Sequence, residues 1–192
     1  MYRRVKRIPH VPLERDIDQL IGGFHNSKYG AYLQLLKETG FRPVEASRLN
    51  PKSFDLIKRT VTLNDPAKCS NPRQMRISSK LVNMITPLIP DKQSNKLIWD
   101  ANIKYISDSY RKKRNTLFRQ LGNPRLKQIT LKSFRHFKGS TEYAKTKDIF
   151  HVKNVLEHVN IQNTMIYIHI LGEEPDENYI VKVAQTIDAR AD

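Results

Sequence analysis

Arg42, in the stretch TGFRPVEASRL, occupies a position at which an arginine can bind an anion. Gly40 can end one helix in a left-handed conformation, and Pro43 suits the first turn of the next helix. Arg42 would then lie on a tight turn beside a helix amino terminus, where backbone N–H groups point outward. The alternative is an ordinary surface ion pair with Glu38 or Glu45.

A second stretch, LKSFRHFKGSTEYA, places Lys132 and Arg135 three residues apart, on one face of a predicted helix. Phe134 and His136 fall on other faces and are predicted to pack. The loop NDPAKCSNPRQMRIS carries Lys68 between two predicted strands. A lysine on such a hairpin is either solvated or able to reach into a site from the side and deliver a proton.

A third stretch, LEHVNIQNTMIYIHI, contains His158 just before a predicted turn and Tyr167 nine residues later. Taken alone, the histidine is typical of a helix cap or a core residue. The tyrosine alone is typical of a core aromatic whose hydroxyl is hydrogen-bonded. Each residue gains a possible chemical role only in combination with the basic residues.

The charge of the chain points to a polyanionic partner. Lys and Arg number 34 against 19 Asp and Glu, a net charge of +15. Residues 173–192 hold six acids and two bases, a charge of −4, so the remainder carries +19. Such an excess favours nucleic acid, whose phosphates release counterions when neutralised. The alternatives are a basic but merely soluble protein and one held to acidic lipid.

Part of this charge is concentrated in RKKRNTLFRQLGNPRLK, which has seven bases and no intervening acid. A solvated helix face is one interpretation. With so basic a chain, a surface that contacts the backbone phosphates of a nucleic acid is the preferred one. The predicted DNA-binding residues are Arg111, Lys112, Lys113, Arg114, Arg119, Arg125 and Lys127.

Length and composition limit the remaining possibilities. The 192 residues suffice for one ordinary domain with a sizeable core. No apolar run approaches the roughly 20 residues of a membrane span, and the basic amino terminus is not followed by the apolar segment of a secretory signal. The single cysteine, Cys69, excludes an internal disulfide and a CxxC metal site, and it fits a reducing compartment.

Hydrophobic periodicity predicts a mainly α fold with a small three-stranded antiparallel sheet, an α+β class. The strands are SFDLI, TVTL and MRIS, and the helices flank them on both sides in the sequence. We expect a basic arm or linker at 1–15, a folded domain at 16–172, and an acidic tail at 173–192 with a helix at about 177–190.

These motifs, in this order and spacing, resemble the tyrosine recombinase/integrase family. TGFRPVEASRL is similar to the family's first-arginine motif, and Lys68 lies where its β-hairpin lysine lies. Lys132 and Arg135 occupy the outer positions of its HxxR motif, and LEHVNIQNTMIYIH resembles its LGHxxixtTxxYxH ending. KTKDIFHVKNVLEH and NYIVKVAQTI resemble the archaeal branch, which includes viral and proviral integrases. The resemblance covers about residues 16–185.

The resemblance implies the tyrosine recombinase catalytic-domain fold, so that residues 16–172 form a catalytic domain, and it implies site-specific DNA recombination. The Tyr167 hydroxyl would attack a phosphodiester of duplex DNA, forming a 3′-phosphotyrosine and releasing a 5′-hydroxyl. Arg42 and Arg135 would clamp the phosphate, since guanidinium groups match its oxygens bidentately. The phosphotyrosine conserves the energy of the broken bond, so another 5′-hydroxyl can reverse the step without ATP.

The resemblance also assigns the other catalytic residues. Lys68 would protonate the leaving 5′-oxygen as general acid. Lys132 and His158 would supply part of the positive field that a tyrosine needs to lose its proton, and His158 would hydrogen-bond a phosphate oxygen. No acid cluster suited to Mg²⁺ occurs among the motifs, so we predict a reaction without metal or other cofactor.

The resemblance implies double-stranded DNA as the partner, a homotetramer on DNA, and a monomer or weak dimer when free. No membrane association is expected, and the place of action would be the cytoplasm of a host cell, on chromosomal or viral DNA.

The sequence departs from the family pattern at several positions. Lys132 replaces a histidine, which keeps the charge but gives a poor general base. Glu157 replaces the glycine of LGH and must adopt that glycine's backbone conformation, and Cys69 replaces a glycine after Lys68. Full-length members carry an amino-terminal helical domain, so we expect a catalytic fragment or a minimal natural form that binds DNA weakly.

Two other functions remain compatible with the sequence. A type IB topoisomerase would relax supercoils without exchanging strands, and a plasmid relaxation assay beside a two-site recombination assay separates it. A non-catalytic DNA-binding module would fail to cleave a suicide substrate.

Overall fold

The computed structural model describes residues 9–24, 28–67, 70–99 and 102–170. The chain divides into two compact units. The N-terminal unit is Pro9–Lys138, and the described part of the C-terminal unit is 139–170. The predicted acidic tail and its helix lie outside the described residues.

The described residues are mainly helical, as predicted. Single 3₁₀ turns occur at Pro51–Ser53, Thr86–Leu88 and Pro124–Gln128. The helices are α1 (Glu14–Gly23), α2 (Lys28–Thr39), α3 (Pro43–Ser47), α4 (Ser79–Ile85), α5 (Ile103–Leu121), α6 (Leu131–Thr146), α7 (Ile149–Leu156) and α8 (Gln162–Ile170). Within the described residues, no helix combines the length and the apolar character that crossing a membrane requires.

Three short strands form one antiparallel sheet in the order β1-β2-β3. Val61 pairs with Phe54 on one side and Met75 on the other, and Leu63 pairs with Arg73. Val61 and Leu63 are buried, while Thr60 and Thr62 are partly exposed, which is the period-two pattern of a strand with one face on the core. The strands are β1 (Phe54–Asp55), β2 (Thr60–Leu63) and β3 (Arg73–Arg76).

The first strand is shorter than the predicted SFDLI. The Asp55 carboxylate accepts hydrogen bonds from the backbone amides of Ile57 (3.1 Å) and Lys58 (2.9 Å), which closes a turn directly after the strand. Arg59 then adopts a left-handed conformation, with φ of 52°. The side-chain acceptor therefore ends the strand at Asp55, two residues earlier than the apolar pattern indicates.

The core of the N-terminal unit holds α2 in place. Tyr32 and Trp99 are fully buried, and their rings meet edge to face with centroids 5.3 Å apart. Trp99 Nε1 donates to the Lys28 carbonyl (2.7 Å), and the Tyr32 hydroxyl donates to the Pro43 carbonyl (2.6 Å). These contacts fix both the start of α2 and the turn that follows its end.

The C-terminal unit is organised by α7 and α8. Asp148 caps α7 by accepting from the amides of Phe150 (2.8 Å) and His151 (3.2 Å), a type of contact that contributes about 1 kcal/mol. Apolar side chains of both helices form a small buried cluster with Tyr143 of α6 and Ile161 of the turn before α8. Its buried members are Tyr143, Ile149, Val152, Leu156, Ile161, Tyr167 and Ile168.

Candidate active site

The turn after α2 positions two of the predicted site residues together. Gly40 has φ of +66°, a conformation that favours glycine, and it ends α2. Two residues later Arg42 lies at the N-cap of α3, whose first residue is Pro43. The Gly40 carbonyl accepts a hydrogen bond from Arg135 Nη1 (2.8 Å), although the two residues are far apart in sequence. The left-handed Gly40 therefore helps to position both arginines that are predicted to bind phosphate, Arg42 through the turn and Arg135 through the hydrogen bond.

Arg42 is held by a buried carboxylate. Its Nη1 lies 2.7 Å from Glu45 Oε1, and its backbone amide lies 2.8 Å from Glu45 Oε2. The side chain of Glu45 is 0% exposed and that of Arg42 is 18% exposed. The sequence suggested an ordinary surface ion pair between Arg42 and Glu45 as one alternative. The two residues do form an ion pair, but it is buried, and it orients the guanidinium group of Arg42.

Glu45 remains ionised although it is buried. Burial pushes its pKa upward, but the amide of Arg42 and the guanidinium groups of Arg73 and Arg42 outweigh this effect, so the pKa of Glu45 lies below its usual value. Arg73 Nη2 donates to Glu45 Oε2 (2.8 Å).

The ends of the loop that carries Lys68 are tied to the same cluster. The Ala67 amide donates to Glu45 Oε1 (3.2 Å), and Arg42 Nη1 donates to Ser70 Oγ (2.9 Å). Lys68 itself lies outside the described residues, so its role as general acid stays a prediction.

Lys132 and Arg135 both lie near the start of α6. Arg135 is 8% exposed, whereas Lys132 is exposed. His136, predicted to pack, is partly buried beside them. Burial, with the charges of Arg135 and Lys132, lowers the pKa of His136 below its usual value. The two cations near the start of α6 therefore add to the effect of burial in opposing protonation of this imidazole.

Arg42, Lys132 and Arg135 line one cavity of about 870 Å³ within the N-terminal unit. Arg111 and Arg114, from the predicted DNA-binding cluster, line the same cavity together with His136. One acid, Asp108, is also present, and its Oδ1 pairs with Arg111 Nη2 at 3.0 Å. Among the residues that the structure describes, the lining thus carries five bases against one acid, which suits a phosphate-bearing ligand.

The other predicted DNA-binding residues have different surroundings. Lys112, Lys113 and Arg119 are exposed. Lys127 Nζ lies 4.4 Å from the centroid of the Phe118 ring, a cation–π contact. These four side chains leave their charge near the surface.

Arg125 differs from the rest of the cluster because it binds an acid from α1. Its Nε and Nη2 lie 2.8 and 3.1 Å from the Asp16 carboxylate, which is buried. The hydrogen bond from Arg125 is the largest cause of the lowered pKa of Asp16. Arg125 therefore ties the turn after α5 to α1, and any phosphate must share it with Asp16.

Tyr167 lies in the C-terminal unit, on α8, and is 1% exposed. Its ring packs against Gly139 of α6 so closely that a Cβ added to Gly139 would lie 2.8 Å from the phenolic oxygen. A glycine in the interior of a helix is unfavourable by about 1 kcal/mol relative to alanine, and here it makes room for the phenol.

His158 and its neighbour are fixed by the turn between α7 and α8. Glu157 ends α7 with φ of 50° and ψ of 53°, so it adopts the left-handed conformation expected for the glycine it replaces. The His158 amide bonds the Lys153 carbonyl (3.0 Å), and its Nδ1 lies 2.8 Å from Thr164 Oγ1. These contacts fix the orientation of the imidazole ring.

Residues 13–174 match the model of the phage integrase family. The chain belongs to this family. The match covers most of the sequence, including all six predicted catalytic residues. No curated protein matches this integrase-family chain.

Solved structures support the same fold. The crystal structure of XerA recombinase is 16% identical with a TM-score of 0.69, over 96% of this chain and 66% of that one. The catalytic domain of bacteriophage HP1 integrase is 24% identical with a TM-score of 0.60, over 84% and 88%. The Tn1549 transposon integrase, solved in complex with a circular intermediate DNA, is 12% identical with a TM-score of 0.68, over 97% and 68%.

The fold class predicted from the sequence is confirmed by these likenesses. Site-specific DNA recombination by a tyrosine recombinase, an enzyme that breaks and rejoins DNA strands, is confirmed at the level of the family.

Two important residues were not among the sequence candidates. Glu45 was considered only as a surface partner of Arg42, although a glutamate three residues after an N-cap is the pattern of a capping box. Gly139 could have been noticed as a glycine inside a predicted helix, which often marks a close approach.

Proposed function

We propose that this chain is the catalytic part of a site-specific recombinase that cuts and rejoins duplex DNA through Tyr167. The observation that carries the proposal is the cavity whose lining combines Arg42, Lys132 and Arg135 with two further arginines, in a chain of the phage integrase family. A lining of this kind can neutralise a backbone phosphate and the charge that develops on its oxygens during transfer.

Arg42 and Arg135 hold the non-bridging oxygens of the scissile phosphate. Both guanidinium groups are oriented before DNA binds, Arg42 by Glu45 and Arg135 by the Gly40 carbonyl. Pre-oriented donors need no reorganisation as negative charge develops, which is where electrostatic catalysis gains most.

The Tyr167 oxygen forms the new bond to phosphorus as the bond to the 5′-oxygen breaks. The phenolic proton passes to solvent water as the phenol attacks, and Lys68 gives a proton to the departing 5′-oxygen. Lys132, which cannot accept a proton while charged, favours the phenolate through its charge. His158 hydrogen-bonds a phosphate oxygen, and a second 5′-hydroxyl reverses the step on another strand.

Because Tyr167 is 1% exposed, its hydroxyl must leave its contact with Gly139 before it can meet a phosphodiester. We therefore include a displacement of the tyrosine side chain in the proposed reaction.

The finer assignments follow the sequence. We place the chain in the archaeal branch, as an integrase of a virus or provirus acting on chromosomal or viral DNA in the host cytoplasm. It assembles as a tetramer on paired DNA sites, is a monomer or weak dimer when free, and needs neither metal nor ATP.

The test is covalent adduct formation with a pool of nicked DNA duplexes of random sequence around the nick. Denaturing gels detect protein joined to DNA, and sequencing of the adducts identifies the preferred site. Adducts are expected for the natural sequence and not for Tyr167→Phe, which should bind DNA nearly as well because one oxygen atom is removed.

Normal adduct formation by Tyr167→Phe would overturn the assignment of the nucleophile. Absence of adducts for both proteins, at concentrations where both bind DNA, would instead favour a non-catalytic DNA-binding module. Two-site recombination beside plasmid relaxation, on the recovered site, separates a recombinase from a topoisomerase.

A further inference from the structure

Arg73, at the start of β3, is a buried arginine whose guanidinium group is only partly hydrogen-bonded among the described residues. Its side chain is 6% exposed, and its guanidinium carbon lies 4.7 Å from the centroid of the Phe41 ring. Nη2 binds Glu45, but Nε and Nη1 are buried without a hydrogen-bond partner among the described residues. Buried donors left unpaired are destabilising, so stability alone does not explain an arginine here.

The charges around Glu45 suggest another role. Two guanidinium groups, those of Arg42 and Arg73, share one carboxylate, at 2.7 and 2.8 Å. A pair of Glu45 with Arg42 alone would have no net charge, and the field of Arg42 in the cavity would be largely cancelled. With Arg73 present, the three groups carry a net charge of one positive unit.

We propose that Arg73 is a positioning residue that keeps Arg42 both fixed and electrostatically available to a phosphate. Arg73 supplies the charge that balances Glu45, and Glu45 in turn holds the Arg42 side chain and the Ala67 amide in place. Arg73 itself is nearly inaccessible and does not line the cavity, so it acts through Glu45 and not by touching DNA.

This role of Arg73 rests on the proposed function. Variants that change the net charge of Arg42, Glu45 and Arg73 test it. Arg73→Met leaves Glu45 and Arg42 as a neutral pair. Arg73→Met combined with Glu45→Gln restores the net positive unit, although it removes more native contacts. Arg73→Lys keeps the charge and loses only the planar group.

The first measurement is the rate of covalent adduct formation at saturating DNA, with the nicked duplex recovered from the random pool. We expect Arg73→Met to form the adduct about tenfold to a hundredfold more slowly. This effect is smaller than the loss of a group that touches the reacting oxygens, because Arg73 acts through Glu45. The double variant should recover at least part of that loss, and Arg73→Lys should stay close to the natural rate. Arg76→Met, on the exposed face of the same strand, is the matched control and should have no effect.

The second measurement uses inorganic phosphate and does not require cleavage. Its affinity can be followed by the NMR signal of the His136 imidazole, which lines the same cavity. The natural protein and the double variant should bind phosphate more tightly than Arg73→Met. If the natural protein forms no adduct, the proposed function fails, while this ranking still tests the role of Arg73.

A double variant as slow as Arg73→Met or slower, with the same order in phosphate affinity, would show that Arg73 is merely structural. Equal rates for Arg73→Met and Arg76→Met would also overturn the proposal. If Arg73→Met does not fold, a folded but inactive Arg73→Lys would have the same consequence.

Discussion

At the residue scale, the cavity of the N-terminal unit is lined by several cationic side chains, which determine its preference for an anion. Lys132 is exposed, Arg135 is buried, and both act on the imidazole of His136, whose pKa is lowered by burial and by these two charges. A phosphate bound beside these groups would offset the effect of the two cations on the imidazole, since a nearby anion favours the charged form. The same residues that oppose protonation in the free protein therefore favour an anion.

Removing the charge of Lys132 should be visible in the titration of His136. Since a nearby cation disfavours the imidazolium, Lys132→Met should raise the pKa of His136 toward the ordinary value of about 6.5. The measurement is an NMR titration of the His136 ring protons. Lys112→Met, which removes an exposed charge on α5, is the control and should leave the pKa unchanged. Equal shifts in the two variants would contradict the assignment.

At the element scale, local signals in the sequence predicted most helices and, to within two residues at each end, the strands of the sheet; β3 begins two residues before the predicted MRIS. Gly40 marked the end of α2 and Pro43 the start of α3, because both act through their own backbone. The end of β1 was wrong because the Asp55 side chain competes for backbone amides. The binding of Glu45 to Arg73 and of Arg125 to Asp16 could not be predicted, since these contacts join residues 28 and 109 positions apart.

The left-handed residue at the end of α7 gives a prediction about stability. For a residue other than glycine this conformation costs about 1–2 kcal/mol, so Glu157→Gly should be more stable than Glu157→Ala by about 1 kcal/mol. Both variants lack the carboxylate, so their difference reports on the backbone alone. Urea denaturation measures the free energy of unfolding.

The control for this comparison is Asn154, an exposed position inside α7. There glycine should be less stable than alanine, by about 1 kcal/mol, because the helix interior disfavours glycine. The same order at both positions would be inconsistent with the backbone conformation of Glu157.

At the scale of the whole molecule, the net charge of +15 makes DNA binding dependent on salt. The basic side chains are not equally accessible to DNA phosphates. Arg42, Arg73 and Arg125 are engaged by buried carboxylates, whereas Lys112 and Lys113 of α5 are exposed. We expect the exposed bases of α5 to contribute most directly to counterion release.

Replacing Lys112 and Lys113 with glutamine should therefore reduce the slope of log K against log salt concentration by about 2, since each phosphate contact contributes about 0.9. Fluorescence anisotropy with labelled duplex DNA measures this slope. Replacing the exposed Lys58 and Lys80 removes the same charge from the same unit and should change the slope less. Identical changes in the two double variants would mean that net charge, and not its location, governs binding.

The close packing of Tyr167 on Gly139 shields the tyrosine while no DNA is bound. Its phenolic oxygen, the proposed nucleophile, is kept out of solvent, so neither free phosphates nor reagents that nitrate or phosphorylate tyrosine can reach it. Because Gly139 has no side chain, the ring has space to pack there. A single methyl group added at Gly139 would displace the ring and expose its oxygen to solvent.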